Sequence, residues 1–183
     1  DLLEAELATF VTTLRTADLD ASVPTCPDWT VIDLVEHLGQ IHRWAELLVR
    51  TTSPTRVGPP SLDDDHPQDR TDPASCAEWI AVGGERLVTT LRAADPTVEM
   101  YAWGRDQHVA FWSRRQLHET LVHRIDLELA IGSDWHVEPA AAVDCIDEFF
   151  DNLAASARFS PWVKELNGTG SIHLHATDVE GEW

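Results

Sequence analysis

Apolar residues recur at spacings of three and four through most of this 183-residue chain, a period that selects helices. Leu3, Leu7, Phe10, Val11 and Leu14 form one such stripe and predict helix one over residues 2 to 17. After the breaker Pro24-Thr25-Cys26-Pro27-Asp28, the run Thr30-Val31-Ile32-Asp33 reads as a capping box that opens helix two, to about Arg50. Its expected buried stripe is Leu34, Leu38, Ile41, Ala45 and Leu48, with Glu36, Gln40 and Arg43 opposite. Four prolines and Asp63-Asp64-Asp65 make residues 51 to 72 a long loop, either a lid or a mobile connection. Asp72-Pro73 opens helix three, which carries Trp79, Ile80, Leu87, Val88 and Leu91. Gly83-Gly84 within it either weakens the helix or lets another approach closely. Helix four runs from about Ala110 to Ile131 and stops at Gly132, and helix five from Pro139 to about Arg158 with Val143, Ile146, Phe149, Phe150 and Leu153 as its apolar face.

The tail changes period. Ser171 to Thr177 alternates polar and apolar, the pattern of a β-strand, and a lone strand is not stable by itself. The expectation is therefore a mainly α domain over residues 1–158, followed over 159–183 by a linker and the first strand of an incomplete second α/β domain. The charge balance, 13 Lys and Arg against 32 Asp and Glu, argues against nucleic acid or an anionic membrane surface as partner. Any anionic substrate must be met by local arginines. No apolar run approaches the ~20 residues of a membrane span. Three widely spaced cysteines without a C-x-x-C pair signal neither a disulfide framework nor a cysteine-rich zinc site, and fit a reducing cytoplasm.

Phosphate-loop, dinucleotide, nucleophile-elbow and zincin motifs are all missing, which leaves nine histidines as the chemical signal. Glu119 and His123 lie four apart on helix four, about 40° apart around its axis, so both heads reach one point. Alone, such a pair is usually solvated. His37 borders the buried stripe of helix two, where a histidine is more often hydrogen-bonded in the core than bound to metal. His42 is rotated roughly 140° from His37, and His118 about 100° from Glu119, so neither is expected to join them. If helices two and four are neighbours, His37, Glu119 and His123 offer two imidazoles and one carboxylate, a set suited to Zn²⁺ with an open fourth position.

Three blocks carry a resemblance to a known family: Pro27-Asp28-Trp29-Thr30-Val31-Ile32-Asp33-Leu34-Val35-Glu36-His37-Leu38, Trp112 to Asp126 with its Arg115, Glu119 and His123, and the tail His173 to Asp178. Together they resemble the mycothiol-dependent maleylpyruvate isomerases. The resemblance implies a DinB-like, up-down four-helix bundle with an extra helix. It also implies a metal centre at His37, Glu119 and His123, holding zinc or another divalent ion, and mycothiol as thiol cosubstrate. The implied activity is attack of a metal-stabilised thiolate on a small electrophile, ending in isomerisation or in S-transfer.

Arg115 and Asp126 share the Glu119 face of helix four. Arg115 is a candidate catalytic clamp for a substrate or thiol carboxylate, or else a salt-bridge partner. Asp126 is a candidate to orient a metal ligand, or else pairs with Arg124 or Arg43. His173 and His175 share one face of the expected strand, as a second metal site or simply as polar surface. Two rival functions remain at this stage: a hydrolase using metal-bound water, and a noncatalytic metal-binding regulatory module.

Overall fold

The computed structural model describes residues 2–60, 65–158, 160–166, 168 and 170–183, so Asp63 and Asp64 of the acidic run lie outside the described residues. The regular elements among these are α1 (Leu2–Leu14), α2 (Val31–Thr51), α3 (Pro73–Ala93), α4 (Val109–Ala130), α5 (Pro139–Ser156) and a short 3-10 turn at Pro161–Glu165. Helix α1 stops three residues before its expected end, where the Ala17 N–H turns back to the Leu14 carbonyl at 3.1 Å. Helix α2 starts where Asp33 accepts hydrogen bonds from the Thr30 N–H at 2.8 Å and its hydroxyl at 2.6 Å. At α3, Asp72 caps the Ala74 N–H at 3.0 Å ahead of Pro73. Gly132, at φ 69°, follows the end of α4 in the left-handed conformation that ends many helices.

Helices α1 and α2 occupy opposite corners of a bundle, each packed against both α3 and α4. Contacts along the seams give the directions. On α2 and α3, Gly39 meets Trp79, Arg43 meets Gly83 and Glu46 meets Thr90, so these two helices run parallel. Helix α2 is antiparallel to α4, since His37 meets Glu119 and Trp44 meets Trp112. Helices α1 and α3 are antiparallel as well, with Glu4 beside Arg92 and Leu7 beside Gly84. The order is thus up, down, down, up, which corrects the expected up-down alternation.

The parallel pair explains the long connection. A 21-residue helix is about 30 Å long, and the chain must return over that length before starting α3 in the same direction. It does so along α2: Val57 accepts from the Trp44 indole at 2.6 Å, Pro60 from Gln40 at 3.4 Å, and Arg70 pairs with Glu36 near the start of the helix. Asp65 docks against both helices, accepting from Arg43 at 2.7 Å and from the Trp79 indole at 2.6 Å. Glu36 and Arg43 are accordingly buried rather than solvent-facing, a correction to the expected polar face of α2. A second side of α2 is covered by α3 and by this strap. Arg43 stacks 4.1 Å above the Trp79 ring, in space that the missing side chain of Gly83 leaves open. Close approach, not weakness, is therefore the role of the Gly83-Gly84 pair.

The core falls into two apolar clusters. One gathers Phe10, Leu14, Leu34, Leu38, Ile80 and Leu127, and the other Trp44, Leu48, Leu87, Phe111 and Trp112. Helix α5 lies outside the four-helix core and meets α4 through ion pairs, with Arg114 bonded to Asp144 and Asp151. Phe149 and Phe150 stay 55% and 41% exposed, so the expected apolar face of α5 is not a core face in this chain.

The expected strand does not form. Leu174 exchanges two hydrogen bonds with Trp183, at 2.7 and 2.8 Å, and His175 makes one isolated bridge to Glu182. Ile172 remains 84% exposed, although the Trp183 indole donates to Asp147 of α5 at 2.7 Å. Among the described residues nothing forms a second domain.

Candidate metal centre

The seam between α2 and α4 brings His37, Glu119 and His123 together. Glu119 Oε1 accepts from His37 Nε2 at 3.1 Å and lies 3.3 Å from His123 Nε2, and the three ligand atoms all fall within 4.8 Å of one another. Donors of a tetrahedral zinc site with bonds of ~2.0–2.1 Å stand roughly 3.4 Å apart. The spacing and the donor chemistry therefore fit a divalent ion with little movement. The His37 side chain is 33% exposed, against 19% for Glu119 and 13% for His123, so the cluster opens to solvent on the His37 side.

Neighbouring groups hold this set in place. His123 Nδ1 donates to Asp126 Oδ2 at 2.8 Å, which fixes the ring with Nε2 toward Glu119. The Thr25 hydroxyl donates to Asp126 Oδ1 at 2.5 Å, and the Cys26 thiol lies 3.8 Å from Oδ2. Both residues come from the turn before α2, where Asp28 adopts a positive φ of 68° and the chain then swings Trp29 over the site. The Trp29 ring centroid lies 5.0 Å from His37 and 6.4 Å from His123 and forms an aromatic wall. Arg115 Nη2 donates to Glu119 Oε2 at 3.0 Å, while Nη1 pairs with Glu148 of α5.

These contacts set the charges. Burial works against the ionised form of Glu119, but hydrogen bonds from His123 and His37 and the charge of Arg115 outweigh it and hold the carboxyl well below its ordinary range. Burial likewise works against a charged His123, yet its bonds to Asp126 and Glu119 push its pKa up to about 9. Burial and the Asp126 charge push the Cys26 thiol up, which keeps it protonated. Cys26, His123 and Asp126 also have donor atoms within 4.8 Å of one another, but Asp126 already accepts from both Thr25 and His123. We read that group as the support behind His123.

Asp126 thus contacts His123 rather than Arg124, which pairs with Glu6 and Glu128, or Arg43, which is bound to Asp65. Arg115 already holds two carboxylates. His42 and His118 point away from the cluster, to Thr120 at 2.9 Å and Asp144 at 2.6 Å. His173 and His175 lie 5.8 Å apart and gather no metal-binding group among the described residues. Sequence reading missed Trp29, Thr25, Cys26 and Glu148 as parts of the site's surroundings; the Pro27-Asp28-Trp29 turn was the available signal for the first three. It also missed a buried polar layer beside the site, where His42 and Gln116 are fully enclosed.

The profile of the family described as "Mycothiol maleylpyruvate isomerase N-terminal domain" matches residues 1–128, which include all three candidate ligands. No curated protein and no solved structure matches the chain. No described helix is long and apolar enough to cross a membrane. With more than two thirds of its length covered, the chain belongs to the mycothiol maleylpyruvate isomerase N-terminal domain family.

Proposed function

We propose that this chain binds one divalent metal ion, zinc first, through His37 Nε2, Glu119 Oε1 and His123 Nε2, and uses it for thiol chemistry on a small electrophile. The observation that carries the reading is the convergence of two imidazole nitrogens and a carboxylate oxygen, from two helices, on one solvent-open point. Zinc held by such a set supplies the Lewis acidity that keeps a coordinating thiol deprotonated at neutral pH.

The protein's own groups have separable tasks in this proposal. Asp126, braced by Thr25, keeps His123 in the tautomer that presents Nε2. Arg115 engages Oε2 of Glu119 and leaves Oε1 toward the imidazoles. Trp29 walls one side against water, and the exposed edge at His37 admits the thiol. The family description supports mycothiol as that thiol and maleylpyruvate as the electrophile to try first. Attack by the thiol is common to isomerisation and S-transfer. The outcomes differ in whether it leaves again.

Cobalt-substituted protein provides the test. Adding mycothiol is expected to produce a sulfur-to-cobalt charge-transfer band, and mycothiol is expected to be required for conversion of maleylpyruvate. Both signals should vanish in His37→Ala/Glu119→Ala/His123→Ala. A cobalt-loaded protein with no such band and no thiol-dependent conversion overturns the thiol reading.

A further inference from the structure

Glu119 presents its two oxygens to different partners. Oε1 faces the imidazoles of His37 and His123, and Oε2 accepts from Arg115 at 3.0 Å. The other terminal nitrogen of that guanidinium pairs with Oε2 of Glu148, a residue of α5 only 2% exposed. Glu148 Oε1 accepts from Asn152 at 2.9 Å, and Asn152 Oδ1 accepts the Arg105 backbone N–H at 3.1 Å. Helix α5 gives no ligand to the centre and lies outside the residues matched by the family profile, 1–128. It nevertheless reaches the candidate ligand Glu119 through one shared guanidinium.

Charge decides what such a contact does. A cation beside a ligand carboxylate draws that carboxylate's charge away from a metal ion, and a buried cation does so with little solvent screening. Arg115 bridges Glu119 and Glu148, while Asp126 holds His123; with Glu148 offsetting the guanidinium, Glu119 and Asp126 leave two negative charges to meet a divalent ion beside a neutral His123 ring. We propose that Glu148 is a positioning residue for the metal centre that neutralises Arg115, so that Glu119 keeps the charge it donates to the ion. The inference rests on the metal reading of Proposed function. Glu148 touches neither the ion nor substrate, and its effect passes through Arg115.

The test is zinc affinity, measured by chelator competition on metal-free protein whose helicity and melting are checked first. Glu148→Gln keeps the size of the side chain, removes the charge, and is expected to weaken zinc binding about tenfold or more. Adding Arg115→Gln removes the cation that the lost carboxylate was offsetting, and is expected to recover affinity above that of Glu148→Gln. A purely structural role would make that double variant worse than the single one. Asp151→Asn, on the same helix but paired with Arg114, should leave the affinity within about twofold because its partner does not reach Glu119.

An affinity of Glu148→Gln within about twofold of wild type, or a double variant weaker than the single, overturns the inference while the metal centre stands. Should Glu148→Gln fail to fold, the double variant is compared with Arg115→Gln alone: an affinity within about twofold of that variant supports the inference, and a further loss overturns it. Wild-type protein that takes up no zinc overturns the metal reading, and the inference with it.

Discussion

Metal uptake at this centre must displace a proton from His123. In the metal-free protein the ring is bonded to Asp126 at Nδ1 and faces Glu119 at Nε2, and these carboxylates raise its pKa to about 9 despite burial. At pH 7 the ring is then mostly protonated, which reduces the apparent zinc affinity by about two orders of magnitude. Affinity should therefore climb nearly tenfold per pH unit above about pH 7 and level off near pH 9. Chelator competition across that range measures the slope, and calorimetry in buffers of different ionisation enthalpy should count close to one proton released at about pH 7. Asp126→Asn keeps an acceptor oxygen but removes the negative charge that favours the protonated ring, and should flatten the slope. No proton release, or a slope unchanged in Asp126→Asn, would refute the reasoning. In metal-free protein the same raised pKa gives stability that is fully present below the ordinary value of 6.5 and fades as pH rises through about 9.

Three further outcomes test the scaffold. Burial lowers His42 to about 3, so between that pH and 6.5 the unfolded chain binds a proton that the folded chain refuses. Stability should fall toward acid over that window by up to ~1.4 kcal/mol per pH unit from this residue, and urea melts of His42→Gln should show the smaller slope. A methyl group at Gly39 would stand 2.1 Å from a ring carbon of Trp79, which is itself held by Asp65 and Arg43. Gly39→Ala should thus cost about 1–3 kcal/mol in denaturant unfolding, although alanine is the better helix former. Asp72→Ala removes the cap of α3 and should cost about 1 kcal/mol, read as a lowered melting temperature.

Helix positions were legible because the apolar stripes, the Thr30 to Asp33 cap and the Asp72-Pro73 start are local signals. Helix directions were not. Whether α2 and α3 run parallel depends on the tertiary seam where Gly39 receives Trp79 and Gly83 receives Arg43, and no local period encodes it. Glu36 and Arg43 looked solvent-facing because their partners, Arg70 and Asp65, come from a loop without periodicity. Alternation near the C-terminus was likewise misleading, since a strand pattern describes a face and not the presence of something to cover it.

The residues of the candidate centre could be named from sequence because Glu119 and His123 are neighbours on one helix and His37 borders a buried seam. Their surroundings were harder to see. Trp29 and Cys26 reach the site through the backbone turn at Asp28, and Glu148 through the docking of a separate helix. The fold's contribution is to bring an α2 histidine against an α4 turn and to brace both from outside.

Metal content of the purified protein tests the central claim most directly, by mass spectrometry on wild type and on His37→Ala/Glu119→Ala/His123→Ala. About one zinc per chain in the wild type, absent from the variant, is the predicted result. A wild-type protein that stays metal-free after chelator-free purification and zinc add-back would contradict it.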